Sequence, residues 1–85
     1  MQTRYSFKLE RTADNDVLRG FVFKTLTNKT GLEINEVHDI AEGSLEFIET
    51  WITEEYPYVT TLHNGDTGDA LSLFEAAVLD LESRY

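Results

Sequence analysis

Histidine, aspartate and serine lie close together near the middle of this sequence, and these are the residue types of a hydrolytic triad. His38 is followed directly by Asp39, and Ser44 lies a short distance along the chain. A triad depends on the geometry of three side chains, however, and neighbours in sequence point in different directions. Neither Ser44 nor Ser72 lies in a G-x-S-x-G nucleophile elbow. We therefore expect no catalytic residues and no enzymatic activity, and we interpret His38 and His63 as surface or partly packed side chains.

The acidic side chains are more informative than the histidines. Residues 30–83 contain thirteen Asp and Glu but no Lys or Arg, and the whole chain carries a formal charge of −9. Six of these carboxylates, from Glu33 to Glu49, follow one another at steps of three and four residues. On a helix such charges are normally offset by a cation four residues away, and none of the six has one.

This spacing predicts an acidic face that attracts a basic partner, because complementary charge speeds association and sets orientation. The residues assigned to the face are Glu33, Glu36, Asp39, Glu42, Glu46, Glu49, Glu54 and Glu55. Trp51 and Tyr58 are candidate interface aromatics, since Trp and Tyr are enriched at the centres of interfaces. Trp51 also lies at the edge of an apolar stripe, so core packing is its alternative role. Solubility or a halophilic adaptation is the alternative explanation for the acidity.

Cofactors, metals and nucleic acids are not expected as ligands. The chain has no cysteine, its glycines form no phosphate-binding loop, and "NGDTGD" does not fit a calcium-binding loop. Residues 1–29 carry a net charge of +3, but residues 30–85 carry −12 and would repel a polyanion. We therefore predict no cofactor, no metal site and no direct binding to nucleic acid.

The elements that would carry these side chains begin with a β-hairpin. Tyr5, Phe7 and Leu9 alternate with polar residues, which predicts a strand with one buried face. A cluster of turn-forming residues, "ADND", separates it from "VLRGFVFKTLT". This second segment is apolar on both faces and therefore predicts an inner strand, in which Gly20 marks a bulge or a close backbone approach.

Residues 30–56 allow two interpretations. Apolar side chains recur there at helical spacing, at Ile34, Val37, Ala41, Leu45, Ile48 and Ile52. Together with the capping box that begins at Thr30, this spacing favours one long helix. In the alternative, residues 31–38 form a third strand and the helix begins near Asp39 or Ser44. Both interpretations make "SLEFIETWITEEY" helical.

The remaining sequence completes the predicted fold. "PYVTTLHN" predicts a short strand, and a final amphipathic helix has its apolar stripe at Leu71, Phe74, Val78 and Leu81. We predict a single α+β domain over residues 1–85, with a small antiparallel sheet packed by two amphipathic helices. The sheet consists of the N-terminal β-hairpin plus one or two further strands, and the order is ββ(β)αβα. No apolar run approaches the length of a membrane span, and the lack of cysteine favours a cytoplasmic protein.

These features together predict a non-enzymatic protein-binding module that presents an acidic helical face to a basic partner. In size and charge the chain is similar to the DNA-mimic inhibitors made by phages, such as anti-restriction, anti-CRISPR and uracil-DNA glycosylase inhibitor proteins. The similarity involves no sequence motif, and it implies a nucleic-acid-binding protein as the partner. The alternative is a self-associating structural or accessory subunit of a larger complex, with a homodimer between the basic hairpin of one copy and the acidic segment of another.

Overall fold

The structure, a computed structural model that describes residues 2–63, 65 and 72–84, is an antiparallel sheet with two helices. Its elements are β1 (Gln2–Arg11), β2 (Leu18–Thr27), β3 (Glu33–Gly43), α1 (Leu45–Glu55) and α2 (Leu73–Ser83). The strand order is β1-β2-β3 and both pairs are antiparallel, so β2 is the inner strand and β3 lies at one border. The predicted α+β class is confirmed, with a third strand added to the hairpin.

The β1–β2 hairpin forms as its alternation predicts. Phe7 and Leu9 are fully buried, and Phe7 lies directly opposite Val22, which is also fully buried. The connecting turn is held by a side chain, because Asp14 Oδ1 accepts the N–H of Asp16 at 2.9 Å. Aspartate stabilises turns in this way by bonding the backbone two residues further on.

The interpretation of β3 as part of a long helix is wrong, and the tight turn that precedes the strand explains why. Asn28 Oδ1 accepts the N–H of Leu32 at 3.0 Å, and the N–H of Asn28 donates to the C=O of Leu32 at 3.0 Å. Between them Gly31 has a φ of 86°, which glycine adopts without a steric penalty. The turn aligns Glu33 with Thr27, and the chain then pairs with β2 instead of entering a helix.

The apolar residues at helical spacing do not share one face of β3, because Ile34 and Ala41 lie on the face that carries the helices and Val37 lies on the open face. A β-bulge in β3 further changes which side chains share a face. The register of β3 against β2 shifts between Val22 and Phe23, and the shift leaves His38 as an extra residue on β3. Val37 and Ile40 therefore lie on the same face of the sheet although they are three residues apart. In a regular strand, residues at this spacing would lie on opposite faces.

The first helix begins where the alternative interpretation placed it. Ser44 Oγ accepts the N–H of Phe47 at 3.1 Å, which is the bond of an N-cap. The buried residues of α1 are Ile48 and Ile52. Ile48 lies so close to the sheet that a Cβ built on Gly20 would be 2.9 Å from Ile48 Cγ2. Gly20 therefore marks a close approach of the helix to β2.

The second helix packs against β1. Its buried residues are Phe74, Ala76, Ala77 and Leu81, and the ring of Phe74 stacks on Phe7 with centroids 6.4 Å apart. Arg84 follows the helix directly and donates from Nη2 to the C=O of Leu9 at 2.6 Å. Leu71, the first position of the predicted stripe, lies outside the described residues. No helix in the described part of the chain is long and apolar enough to cross a membrane.

The strand predicted in residues 57–64 is reduced, within its described residues 57–63, to a single parallel bridge between Leu62 and Phe7, and Asn64 lies outside the described residues. The N–H of Phe7 donates to the C=O of Thr61 at 3.0 Å, and its C=O accepts the N–H of His63 at 2.9 Å. The order of elements is therefore βββαα. This short segment covers the middle of the outer edge of β1, whereas β3 has no further strand beside it within the described residues.

Replacing Gly20 with alanine tests the close approach of α1 to the sheet. The new Cβ would lie 2.9 Å from Ile48 Cγ2 and 3.1 Å from Trp51 Cζ3, so these side chains must move. We expect a loss of about 1–3 kcal/mol in the free energy of unfolding, measured with urea. The control is Gly31→Asn, at a position with open space and a left-handed φ that Asn tolerates. Equal stability of Gly20→Ala and the wild type would contradict the close approach.

Candidate partner-binding surface

The eight carboxylates assigned to the acidic face are divided between two elements. Those on β3 are Glu33, Glu36, Asp39 and Glu42, and those on α1 are Glu46, Glu49, Glu54 and Glu55. Along β3 the register places Glu33 and Glu42 on the open face of the sheet, and Glu36 and Asp39 on the face that carries the helices. The acidic residues therefore do not lie along a single helix, as the long-helix interpretation required.

Two of the carboxylates on β3 are offset by cations of the hairpin. Arg4 Nη2 lies 2.8 Å from Glu33 Oε2, and Arg19 Nη2 lies 3.2 Å from Glu42 Oε1. All four side chains are exposed, so these pairs contribute little to stability. Their main effect is to neutralise the open face, and the excess negative charge is left to other parts of the surface.

Asp39 is engaged by the fold itself. The hydroxyl of Tyr56 donates to Asp39 Oδ2 at 2.5 Å, and Asp39 Oδ1 accepts the N–H of Ile40 at 2.9 Å. The hydrogen bond to Asp39 is the main cause that raises the pKa of Tyr56 to about 12, and burial adds to it. Because Tyr56 follows α1 directly, this contact ties the end of α1 to β3.

The other five carboxylates are exposed, and no ion pair within the described part of the chain includes them. The contact between Tyr56 and Asp39 brings two of them, Glu54 and Glu55, towards the same end of the molecule as Glu36. We call Glu36, Glu54 and Glu55 the acidic end.

Glu54 and Glu55 lie at positions where negative charge is unfavourable for their own helix. They lie in the last turn of α1, which contains no basic residue. The C-terminus of a helix carries a partial negative charge, so cations are favourable there and carboxylates are not. The stability of the helix therefore does not explain why two carboxylates occupy these positions.

The two candidate interface aromatics differ in their surroundings. Trp51 is half-buried against the core, and its ring meets that of Tyr56 edge-on with centroids 5.4 Å apart. Tyr58 is 56% exposed, and its ring contacts those of Tyr5 and Tyr56. Trp51 therefore stabilises the core, and Tyr58 is the surface residue of the two.

An aromatic cluster that the sequence did not reveal adjoins the acidic end. It consists of Tyr5, His38, Tyr56 and Tyr58, and His38 meets Tyr5 and Tyr56 at centroid distances of 5.3 and 5.9 Å. These rings come from β1, from β3 and from the segment after α1, so no local spacing indicates their contact. Aromatic faces near carboxylates suit guanidinium and ammonium groups, which are attracted to both.

A depression on the open face of the sheet places a hydroxyl beside a histidine. Ser6 Oγ lies 3.1 Å from His63 Nδ1, and the ring of His63 stacks on Phe23 with centroids 4.0 Å apart. Burial, and then the positive charges of Lys8 and Arg4, lower the pKa of His63. A Ser–His catalytic pair must form an imidazolium, which these influences disfavour. The arrangement is that of a packed histidine and gives no support to hydrolytic chemistry.

Neither a metal site nor a similar protein of known function indicates what this chain does. Within residues 2–63, 65 and 72–84, no group of three or more His, Cys, Asp and Glu side chains is placed to hold a metal ion. Comparisons of the chain with protein-family models, with curated proteins and with solved structures find no match. Geometry and charge therefore carry the functional argument.

Replacing Tyr56 with phenylalanine removes the hydroxyl that ties α1 to β3. We expect a loss of about 1–2 kcal/mol at neutral pH, because the bond is made to a charged group at a partly exposed site. The pKa of Tyr56 is raised from 10.0 to about 12, so its contribution is complete below pH 10.0 and is lost as the pH rises through about 12. The stability difference between the two proteins, from urea unfolding at neutral and alkaline pH, should shrink over this range. A difference that is the same at both pH values would contradict the bond.

Replacing His63 with phenylalanine should keep a ring on Phe23 while removing a titrating group. The pKa of His63 is lowered from 6.5 in the folded state, so its contribution is complete above pH 6.5 and is lost as the pH falls below it. We expect the wild type to lose stability relative to the variant as the pH is lowered from neutral to mildly acidic. An NMR titration that gives a pKa of 6.5 or higher for His63 would show that the ring is not packed as described.

Proposed function

We propose that this chain is a non-enzymatic protein-binding module whose acidic end docks on a basic surface of another protein. The observation that carries the proposal is the position of Glu54 and Glu55 in the last turn of α1, where negative charge is unfavourable for the helix. Glu36 lies at the same end of the molecule. A partner that supplies Lys or Arg would relieve this repulsion, so binding explains carboxylates that folding does not.

Charge and aromatic surface have different roles in this proposal. The net charge of −9 steers a basic partner from a distance and is screened by salt. The aromatic cluster would make the close contact with the partner, and Tyr58 is an exposed ring of that cluster. A guanidinium seated against Tyr58 would be attracted both by the ring and by the neighbouring carboxylates.

A narrower form of the proposal is that the partner is a nucleic-acid-binding protein and that the chain occupies its binding groove. The support is the exposed carboxylates, which are held on a strand and a helix rather than on loops and present fixed negative charges as a phosphate backbone does. In this form, duplex DNA and the chain should exclude each other from the partner.

Self-association as a structural or accessory subunit is the second candidate, and one observation favours it. Among the residues that the structure describes, β3 leaves an open strand edge, to which a second copy of the chain could pair. The charge of −9 on each copy opposes this pairing. Light scattering at low and high salt separates the candidates, because a monomer at both salt concentrations would exclude self-association.

Replacing both Glu54 and Glu55 with lysine tests the acidic end. We expect the rate of association with the partner recovered from the host to fall by about tenfold at low salt, and less at high salt. The fold should be retained, since cations in the last turn of a helix are favourable. Stopped-flow or surface-plasmon-resonance kinetics measure the effect.

The matched control makes the same change in net charge elsewhere, by replacing Asp16 and Glu82 with lysine. These two exposed residues lie near the start of α1, at the opposite end of that helix from Glu54 and Glu55. An equal fall in rate for both double variants would assign the effect to net charge rather than to the acidic end. Unchanged rates for both, with no dependence on salt, would refute the proposed function.

A further inference from the structure

The proposed function leaves the open edge of β3 unexplained. This strand is eleven residues long and forms one border of the sheet. Within the described residues no other strand pairs with its outer side. Natural proteins usually protect such edges, because unpaired N–H and C=O groups pair readily with other chains.

The hydrogen bonds of the preceding turn show which backbone groups face outward. The N–H of Asn28 donates to the C=O of Leu32 at 3.0 Å, so the backbone groups of Leu32 point towards β2. Backbone groups alternate in direction along an antiparallel strand. Those of Glu33, Asn35 and Val37 therefore point to the open edge.

Protection of the edge is confined to the second half of the strand. The β-bulge at His38 interrupts the ladder, and the N–H of Ile40 is already bonded to Asp39 Oδ1 at 2.9 Å. From Glu33 to Val37 the strand is in regular register with β2 and exposed on both faces. This first half is the part to which an added strand can pair.

Apolar side chains flank the open half on both faces of the sheet. Ile34 is 53% exposed and Val37 is 51% exposed. Val37 lies opposite Phe23, whose ring stacks on that of Phe21 with centroids 5.7 Å apart. An added strand would shield this apolar surface and, in the same contact, satisfy the outward backbone groups.

We propose that β3, from Glu33 to Val37, accepts an extended segment of a basic partner by strand addition. The segment has Lys or Arg alternating with apolar residues, so that its cations lie on the face of Glu36 and its apolar residues lie on the face of Val37. This inference rests on the proposed function and identifies the element of the partner that makes the closest contact.

Charge selects this occupant over a second copy of the chain. On the face that carries the helices, the open half has Glu36, which no ion pair of the described residues includes, and Glu54 and Glu55 lie towards the same end of the molecule. Cross-strand pairs of opposite charge are favourable and pairs of like charge are not. A basic strand therefore gains at these positions, whereas a second β3 strand would bring further carboxylates against them.

A pair of synthetic peptides tests strand addition directly. The first alternates Val and Lys, and the second has Pro in place of each Val, which keeps the charge but removes the amide donors that a ladder needs. We expect the Val–Lys peptide to bind at least about tenfold more tightly by calorimetry in dilute salt. Its binding should also slow amide hydrogen exchange at Glu33, Asn35 and Val37.

A matched pair of variants tests the same edge from the side of the protein. Asn35→Pro and Asn35→Ala both lose the amide that accepts the Thr25 hydroxyl at 2.7 Å, but only the first loses the outward N–H. We expect Asn35→Ala to bind the Val–Lys peptide as the wild type does, and Asn35→Pro to bind it at least about tenfold more weakly. Circular dichroism checks that both are folded, and the peptide pair decides the question if Asn35→Pro is not.

The outcomes separate this inference from the proposed function. If the two peptides bind equally, and if salt and the replacement of Glu54 and Glu55 with lysine both weaken this binding, strand addition is overturned. The acidic end then remains supported as the binding surface. Binding of neither peptide would also overturn strand addition, while the recovered partner still tests the acidic end. A stable dimer in light scattering, with slow exchange along β3 in the absence of peptide, would show that a second copy occupies the edge instead.

Discussion

The position of α1 on the sheet is the constraint from which the rest of the surface follows. Gly20 has no side chain, so Ile48 and Trp51 can lie directly over β2. This contact holds α1 over the sheet in a position from which Tyr56, directly after the helix, can reach Asp39. Glu54 and Glu55, in the last helical turn, then lie towards the same end of the molecule as Glu36 of β3, although they are distant from Glu36 along the chain.

Both helices cover one face of the sheet, and this one-sided packing divides the chemistry of the molecule. On the covered face lie the core, the aromatic cluster and the acidic end. On the open face, cations of the hairpin pair with Glu33 and Glu42, so that face is close to neutral and partly apolar. The acidic end and the edge of β3 thus lie on neighbouring surfaces. The electrostatic field of the acidic end can orient an approaching partner, and the strand edge can fix the register in which the partner binds.

The sequence is sufficient for features that depend on neighbours along the chain, and insufficient for those that depend on register. Alternation at Tyr5, Phe7 and Leu9 predicts β1, and Ser44 is one of the two N-caps that the alternative interpretation offers for the start of α1. The apolar spacing around Val37 misleads, because Ile34 and Ala41 lie on one face of β3 and Val37 lies on the other, and apolar residues on both faces of a strand can recur at the steps of a helix. The contact of Tyr56 with Asp39 and the stacking of His63 on Phe23 join separate elements, so no pattern in the sequence indicates them.

The packing of α2 against β1 has a consequence for synthesis of the chain. The three strands are connected by short turns, so the sheet can assemble while it is being translated. Phe74, Leu81 and Arg84, which seal β1, come much later in the sequence. Until they emerge, a nascent chain would expose Phe7 and its neighbours. Protection from premature association at that stage would fall to the carboxylates of β3 and α1, which are translated before the last helix.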